Sequence, residues 1–342
     1  MTSSVEAQRA VDRLAAAANL SVLVEDVRQR PMWWSTRGAV DPSRASTILD
    51  RRVDPLAAEV IPRFGIREAE GPVRTPDLPD RGMLARWCMP ARHQGRLMGY
   101  VWVLDPDDAL GRAGLLPVLI ECAEIAGDAL AAVASAELDR RLRRDELIGM
   151  LLTRSDPDAA AELARIEHLP HDVAVQVEAP ARAGGWRLPG AMSAHVVRRR
   201  PRPATSGDPL PLADLKVAAD RALAVVRVIA AGATLKAPTW NCLGGWRLVV
   251  AAPPELAVSA VHPAVEVLRT QPRDDLLVTA RVVLDHGADV AVAAADLHLH
   301  RTTLYYRLER IQQLTGVRLL GGGETADLHL ALWLDAYRRV AD

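Results

Sequence analysis

The chain reads as a multidomain α+β protein that ends in an all-helical region, and three observations give that class. At 342 residues it exceeds one ordinary core, so two or three domains are expected. Strand-like runs with period-2 or continuous apolar character occur only before residue 253. From Ala264 onward apolar residues recur only at helical spacing. The expected domains are residues 1–135, 136–262 and 263–342.

Composition narrows the class. Hydrophobic residues make up 49% and charged residues 25%, a globular balance, and the net charge of −1 gives no whole-chain attraction to nucleic acid or membrane. No apolar run reaches the length of a membrane span, and the first residues carry acids where a secretory signal would carry bases. Cys88, Cys122 and Cys242 are widely spaced and odd in number. They make neither a disulfide framework nor a zinc pattern, which fits small buried side chains in a reducing, cytoplasmic setting.

The elements follow in chain order. Val11, Leu14, Ala15 and Ala18 share one stripe, so residues 1–19 should be a helix, and Leu20–Val27 a short strand. Residues 31–82 are rich in Pro and Gly, with one helical stretch at Pro55–Phe64. Met83–Pro90 and Arg96–Leu104 form a hairpin about Gln94-Gly95, and the run Tyr100–Leu104 is apolar on both faces, as in a covered central strand. Trp33, Trp34, Trp87 and Trp102 line a pocket or fill the core. His93, in the turn near Cys88, reads as solvent-facing rather than as a metal ligand. Residues 115–152 predict one long helix or two nearly continuous ones, whose side of Leu116, Ile120, Ala123, Leu130 and Val133 packs on this chain or on a second subunit.

In the middle region Asp158–Ile166 reads as a helix and Val173–Val177 as a strand. Residues 179–211 read as a linker holding the basic run Arg198–Arg202, an exposed connector or a phosphate contact. Leu212–Ala231 is a strong helix, and Thr239–Ala252 is expected to be a hairpin turning at Gly244-Gly245. Short helices at Ala264–Thr270 and Asp274–His286 follow. The flexible stop Gly321–Gly323 precedes a final amphipathic helix, Thr325–Val340.

Residues 289–319 carry the functional signal. Val290, Ala293, Ala294 and Leu297 make one apolar stripe, and Leu304, Leu308 and Ile311 make a second. His298-Leu299-His300 leaves room only for a turn between them. This is the layout of a helix-turn-helix, whose second helix enters the DNA major groove. With Leu304, Leu308 and Ile311 inward, Thr302, Tyr306, Glu309 and Gln313 point outward, flanked by Thr303, Tyr305 and Arg310, while Arg307 lies nearer the core edge. Hydroxyls and guanidinium groups bond base edges or phosphates, and the amides at a helix N-terminus attract phosphate. The candidate DNA-binding residues are therefore His300, Arg301, Thr302, Thr303, Tyr305, Tyr306, Arg307 and Arg310. Charge adds nothing: residues 263–342 hold nine arginines against eleven acids, a balance of −2, and only Arg301, Arg307 and Arg310 cluster.

The same segment resembles the C-terminal helix-turn-helix of the PucR/CdaR family of bacterial transcription regulators. The resemblance rests on Ala294, Leu297, His300, Thr303, Leu304, Tyr306, Arg307, Leu308, Arg310, Ile311, Leu314, Thr315, Gly316 and Leu319, and on the downstream run Leu328-His329-Leu330-Ala331-Leu332. Thr302 departs from the Asn common in the family, which bears on base preference and leaves the fold intact. The order of elements at the N-terminal end loosely resembles a GAF-like α/β sensor. The run Leu243–Leu248 resembles the end of the family's middle domain, a degenerate relative of GGDEF cyclase domains, although no GG[DE]EF run, paired carboxylates or phosphate loop is present. The resemblance implies a cytoplasmic regulator that binds double-stranded DNA and responds to a small-molecule effector, and the weak local charge and multidomain layout add the expectation of a dimer or higher oligomer. It implies no enzymatic activity, catalytic residue, metal or cofactor. Two alternatives remain open: a nucleotide cyclase or hydrolase in the middle region, and a protein-interaction module whose helix-turn-helix does not bind DNA.

Overall fold

The computed structural model describes residues 2–38, 40–51, 58–170, 172–197, 203–271, 275–321 and 325–341. The chain divides into two compact units, Met1–Arg143 and Arg144–Asp342.

The first unit is built on a five-stranded antiparallel sheet. Its strands are β1 (Ser21–Asp26), β2 (Pro31–Ser35), β3 (Val73–Thr75), β4 (Arg86–His93) and β5 (Arg96–Leu104), in the order β2-β1-β5-β4-β3. The hairpin forms where the sequence places it. Gln94 (φ 49°) and Gly95 (φ 77°) supply the two positive φ values that a tight turn between right-twisted strands requires. Strand β5 is central and its two faces bury different sets, as period 2 dictates. Val101 and Val103 join Val22 and Val24 beneath α1 (Thr2–Ala18) and the first half of α5 (Leu116–Thr153). Tyr100 and Trp102 join Leu23, Cys88, Ile61, Ile66 and Met83 on the other face. Helix α5 approaches the sheet closely at Gly127, where a Cβ would come within 2.2 Å of the Arg92 carbonyl oxygen, so only glycine fits.

The segment 31–82 holds more structure than its Pro and Gly content implies. Besides β2 and β3 it forms α2 (Pro42–Asp50) and α3 (Val60–Arg63), with α4 (Ala109–Arg112) after the hairpin. The reason for α2 is local: Asp41 caps it by accepting from Arg44 N at 2.8 Å, and Pro42 stands at its first position. The expected helix Pro55–Phe64 is seen as α3, and residues 52–57 lie outside the described residues. The tryptophans divide between the faces. Trp33 and Trp87 pack with α1 and α5, donating to Ser4 Oγ (3.0 Å) and Asp108 Oδ1 (3.1 Å). Trp34 is exposed, and Trp102 alone of the four lies against the opposite core. His93 meets Asp128 at 2.7 Å, and among the described residues no group of metal-ligating side chains forms.

Four buried ionisable residues of this unit lie together. Glu25, Asp41, Arg44 and Arg86 are all nearly inaccessible. Asp41 pairs with Arg86 Nη2 and also accepts from Leu84 N at 2.9 Å. Glu25 Oε2 accepts from Trp102 Nε1 at 3.1 Å. Burial pushes the Glu25 carboxyl up to about 7, against the pull of Arg44, Trp102 and Arg86, while neighbouring Asp26 adds to the rise.

The second unit contains two apolar cores. The first covers a four-stranded antiparallel sheet of order β7-β8-β6-β9, made of β6 (Ala174–Glu178), β7 (Trp186–Leu188), β8 (Met192–Val197) and β9 (Leu210–Pro211). Helix α6 (Pro157–Ile166), the end of α5 and the first half of α7 (Leu215–Ala230) pack on it. Residues 179–211 are therefore not a linker: three strands lie there, because β6 needs ladder partners on both edges and Met192 and Ala194 alternate into the core. The basic run Arg198–Arg202 lies outside the described residues.

The second core is wholly helical and begins with the last turns of α7. The expected hairpin at Thr239–Ala252 is absent. A 3₁₀ turn (Trp240–Cys242) and α8 (Trp246–Val250) occupy it, because Leu243, Trp246 and Val249 bury one helical face. Trp246 stacks on Trp333 with ring centroids 4.7 Å apart. The β-branched run therefore yields to tertiary packing. Helices α9 (Val258–Val261), α10 (Ala264–Arg269), α11 (Leu276–Asp285), α12 (Val290–Asp296), α13 (Arg301–Thr315) and α14 (Ala326–Ala341) complete this core. Gly322 and Gly323 lie outside the described residues, as does Asp274. Among the described residues no helix is long and apolar enough to cross a membrane.

The Glu25 environment sets a pH test. The folded state retains a proton that the unfolded chain releases near the ordinary value of 4.5. Ionisation therefore costs folded stability from about 4.5 up to the folded pKa and no further. Relative to Glu25→Gln, the native protein should lose stability across pH 4.5–7, by up to roughly 3 kcal/mol, and show a constant difference above that range. Denaturant titrations of both proteins at stepped pH measure the difference directly.

Candidate nucleic-acid interface

The interface is built outward from α12 and α13. Asp289 caps α12, its Oδ1 accepting from Ala291 N (2.9 Å) and Val292 N (3.1 Å). The helix stops after Asp296 in a Schellman closure. Leu299 N donates to Ala294 O (2.9 Å) and His298 N to Ala295 O (3.1 Å), with His298 in the left-handed region at φ 52°. His300 then leaves the turn extended and caps α13, its ring Nδ1 accepting from Thr302 N at 3.3 Å. One histidine thus ends the turn and satisfies a free amide of the next helix.

Leu304 and Ile311 are fully buried and Leu308 nearly so. They pack in the same core as Ala293 and Ala294 of α12 and Leu276, Leu277, Ala280 and Val283 of α11. The small alanines leave space for a close crossing of α12 and α13. At the far end Gly316 adopts φ 73° and closes α13 by donating to Gln312 O at 2.8 Å. Thr315 supports that turn, its Oγ1 donating to Ile311 O and accepting from Val317 N. The Leu314-Thr315-Gly316 run is therefore a helix-stop device.

The remaining face of α13 is open. Arg301, Thr302, Thr303, Tyr305, Tyr306, Glu309, Arg310 and Gln313 are exposed, with Tyr305 at 54% and Tyr306 at 63%. Exposure of two tyrosines on one short helix is unusual for an apolar ring that has a core beside it. Arg307 is placed differently. It is half-buried, and its Nη1 donates to Thr279 Oγ1 of α11 at 3.1 Å. Thr279 is itself buried and donates to Asp275 O. Of the eight residues named from sequence, the structure brings His300 and the arc Arg301, Thr302, Thr303, Tyr305, Tyr306 and Arg310 onto one accessible surface. It turns Arg307 toward the packed helices.

Other contacts hold this arrangement and were not legible from spacing. Asp285, at the end of α11, meets His329 Nε2 (2.6 Å) and accepts from Trp333 Nε1 (2.7 Å). Asp335, buried in α14, pairs with Arg269 and with Arg339. His286 and Asp296 meet at 3.0 Å and tie the ends of α11 and α12 together. The downstream Leu-His-Leu-Ala-Leu run is explained by this: Leu328, Ala331 and Leu332 fill the core, and His329 binds Asp285.

Comparison with known proteins agrees with this geometry. Residues 276–334 match the PucR C-terminal helix-turn-helix domain. This covers α11, α12, α13 and the first part of α14. The chain is also similar to the crystal structure of a regulator of polyketide synthase expression from Bifidobacterium adolescentis, at 17% identity, covering 58% of this chain and 97% of that one. Its TM-score of 0.25 is too low to transfer a fold or a role. No curated protein matches the chain.

The two faces of α13 should separate in stability measurements. Leu304→Ala, at a fully buried site, should cost about 2–5 kcal/mol. Tyr306→Ala should change stability by no more than about 0.5 kcal/mol. Denaturant unfolding followed by circular dichroism reads both, and a large loss at Tyr306 would show that its ring belongs to the core.

Proposed function

We propose that this chain is a sequence-specific DNA-binding transcription regulator, with α13 as the recognition helix. The exposed polar arc on α13, held rigid by a buried apolar face and capped by His300, carries the reading. Arg301 and Arg310 offer guanidinium groups for guanine edges or phosphates, and Thr302 and Thr303 offer hydroxyls at the amino end. Tyr305 and Tyr306 offer rings and hydroxyls to thymine methyls and phosphates. Arg307 acts through position: its bond to Thr279 orients α13 on α11. The match of residues 276–334 to the PucR helix-turn-helix supports this assignment.

Weak regional charge, with nine arginines against eleven acids in residues 263–342, favours a dimer or higher oligomer that doubles the phosphate contacts and sets half-site spacing. We assign residues 1–135 to a GAF-like sensor that answers a small-molecule effector, and residues 136–262 to a GGDEF-like domain without catalysis. The effector would shift the population of states that bind DNA. The same charge balance favours the second reading, an interaction module that binds a protein in place of DNA.

In vitro selection of bound DNA should enrich one site for the intact protein. The triple variant Arg301→Ala, Thr303→Ala, Arg310→Ala should lose it, each true base contact costing about 1–3 kcal/mol. Arg307→Ala should act instead by lowering stability. Enrichment that survives in the triple variant would overturn the assigned face, and capture of a protein partner without any DNA retention at low salt would favour the interaction module.

A further inference from the structure

The buried charges of the N-terminal unit surround a cavity of about 30 Å³. Arg44, Arg86 and Glu25 face it, beside an apolar wall. Arg44 is 2% exposed, and its Nη1 reaches only Ser21 Oγ, at a long 3.4 Å. Its Nη2 is buried with no hydrogen-bond partner among the described residues. Arg86 is already satisfied by Asp41, and the Asp41 oxygens are shared among Arg86, Arg44 N and Leu84 N. Leu23, Ile61, Met83 and Trp102 supply apolar wall on the remaining sides.

An unpaired guanidinium nitrogen inside a core is expensive, and buried polar groups nearly always have partners. Charge points the same way. Asp41 pairs with Arg86, and burial raises the Glu25 carboxyl to about 7, so below that pH Glu25 is protonated and does not balance the charge of Arg44. The volume holds about two water-sized groups, the size of a carboxylate. A carboxylate oxygen also accepts strongly from a guanidinium N–H, and the carbon end of so small an anion suits the wall.

We propose that this cavity is a binding site for a monocarboxylate of formate to acetate size, whose oxygens take the free Arg44 Nη2 and whose carbon end lies against Leu23, Ile61, Met83 and Trp102. It rests on the effector-sensing reading of this unit and gives that reading a ligand class. Glu25 faces the same space, so its ionisation, with Arg44, Arg86, Asp26 and Asp41 around it, works against a bound anion.

The test titrates formate and acetate into the full-length protein by calorimetry, with inorganic phosphate in parallel. Saturable millimolar or tighter binding of a carboxylate is expected, weakening as pH rises from 6 to 8. Arg44→Met should weaken it by about tenfold or more. Because Arg44→Met removes a buried group and can unfold the unit, Thr47→Leu serves as a second variant that fills the cavity with Arg44 in place, and it should abolish binding. No carboxylate binding would overturn the site, leaving ordered water as the partner of Arg44. Binding unchanged in Thr47→Leu would overturn its location, and phosphate alone binding would overturn the ligand class. DNA affinity measured with and without the bound carboxylate reports on effector sensing separately: a site that binds without changing DNA affinity would remove the regulatory reading and keep the site.

Discussion

The seating of α13 on α12 and α11 is the constraint from which the accessible surface follows. Leu304, Leu308 and Ile311 can bury only if the neighbouring side chains are small, and Ala293 and Ala294 meet that need. Once the apolar edge is fixed, helical periodicity leaves no freedom in where Thr302, Tyr306 and Gln313 point. The turn from His298 to His300 adds the second restraint, because both ends of it are closed by hydrogen bonds. The exposed arc is thus positioned by the packing beneath it and by the capped turn.

The outer shell of this region works by polar contacts in place of apolar area. Asp285, Asp335 and Thr279 each sit on or beside the inner helices and each receives a side chain from a different helix. Arg307 belongs to this group. In sequence it is an arginine among the residues of a recognition helix, yet its guanidinium is committed to α11. The positive charge available on the open face is accordingly that of Arg301 and Arg310.

Two further features tie the molecule's parts together. Helix α7 contributes Leu215, Ala218 and Ala222 to the core over the second sheet, and Val225, Val228 and Ala231 to the helical core. One continuous helix thus serves both, and Arg281 of α11 bonds to the Ala231 carbonyl at its end. In the N-terminal unit Asp41 has a comparable place. It caps α2, holds Leu84 N and pairs with Arg86, so the helix, the loop before β4 and the sheet converge on one carboxylate. Its burial is tolerated because each oxygen is bonded, whereas Arg44 beside it is left with an open donor.

The sequence by itself determined what local periodicity and local chemistry can determine. The long helix from Leu116, the hairpin about Gln94-Gly95, the two helices with the turn His298–His300, and the outward set on α13 all follow from spacings of two, three and four residues. The tertiary structure alone decided whatever depends on a partner distant in sequence. Trp246–Val250 became a helix because Trp333 offers a stacking surface nearly ninety residues away. Met192–Val197 became a strand because β6 offers unpaired backbone groups, and Trp186–Leu188 because that new strand offers its other edge. Arg307 turned inward because Thr279 lies beneath it, and Trp102 parted from Trp33 and Trp87 because alternate strand positions face opposite cores. The buried cluster around Arg44 had no local signal, since Glu25, Asp41, Arg44 and Arg86 carry no motif and meet only when the sheet and α2 close over them. Hydrophobic period is written in neighbouring residues, while charge burial and long-range pairing are properties of the closed fold.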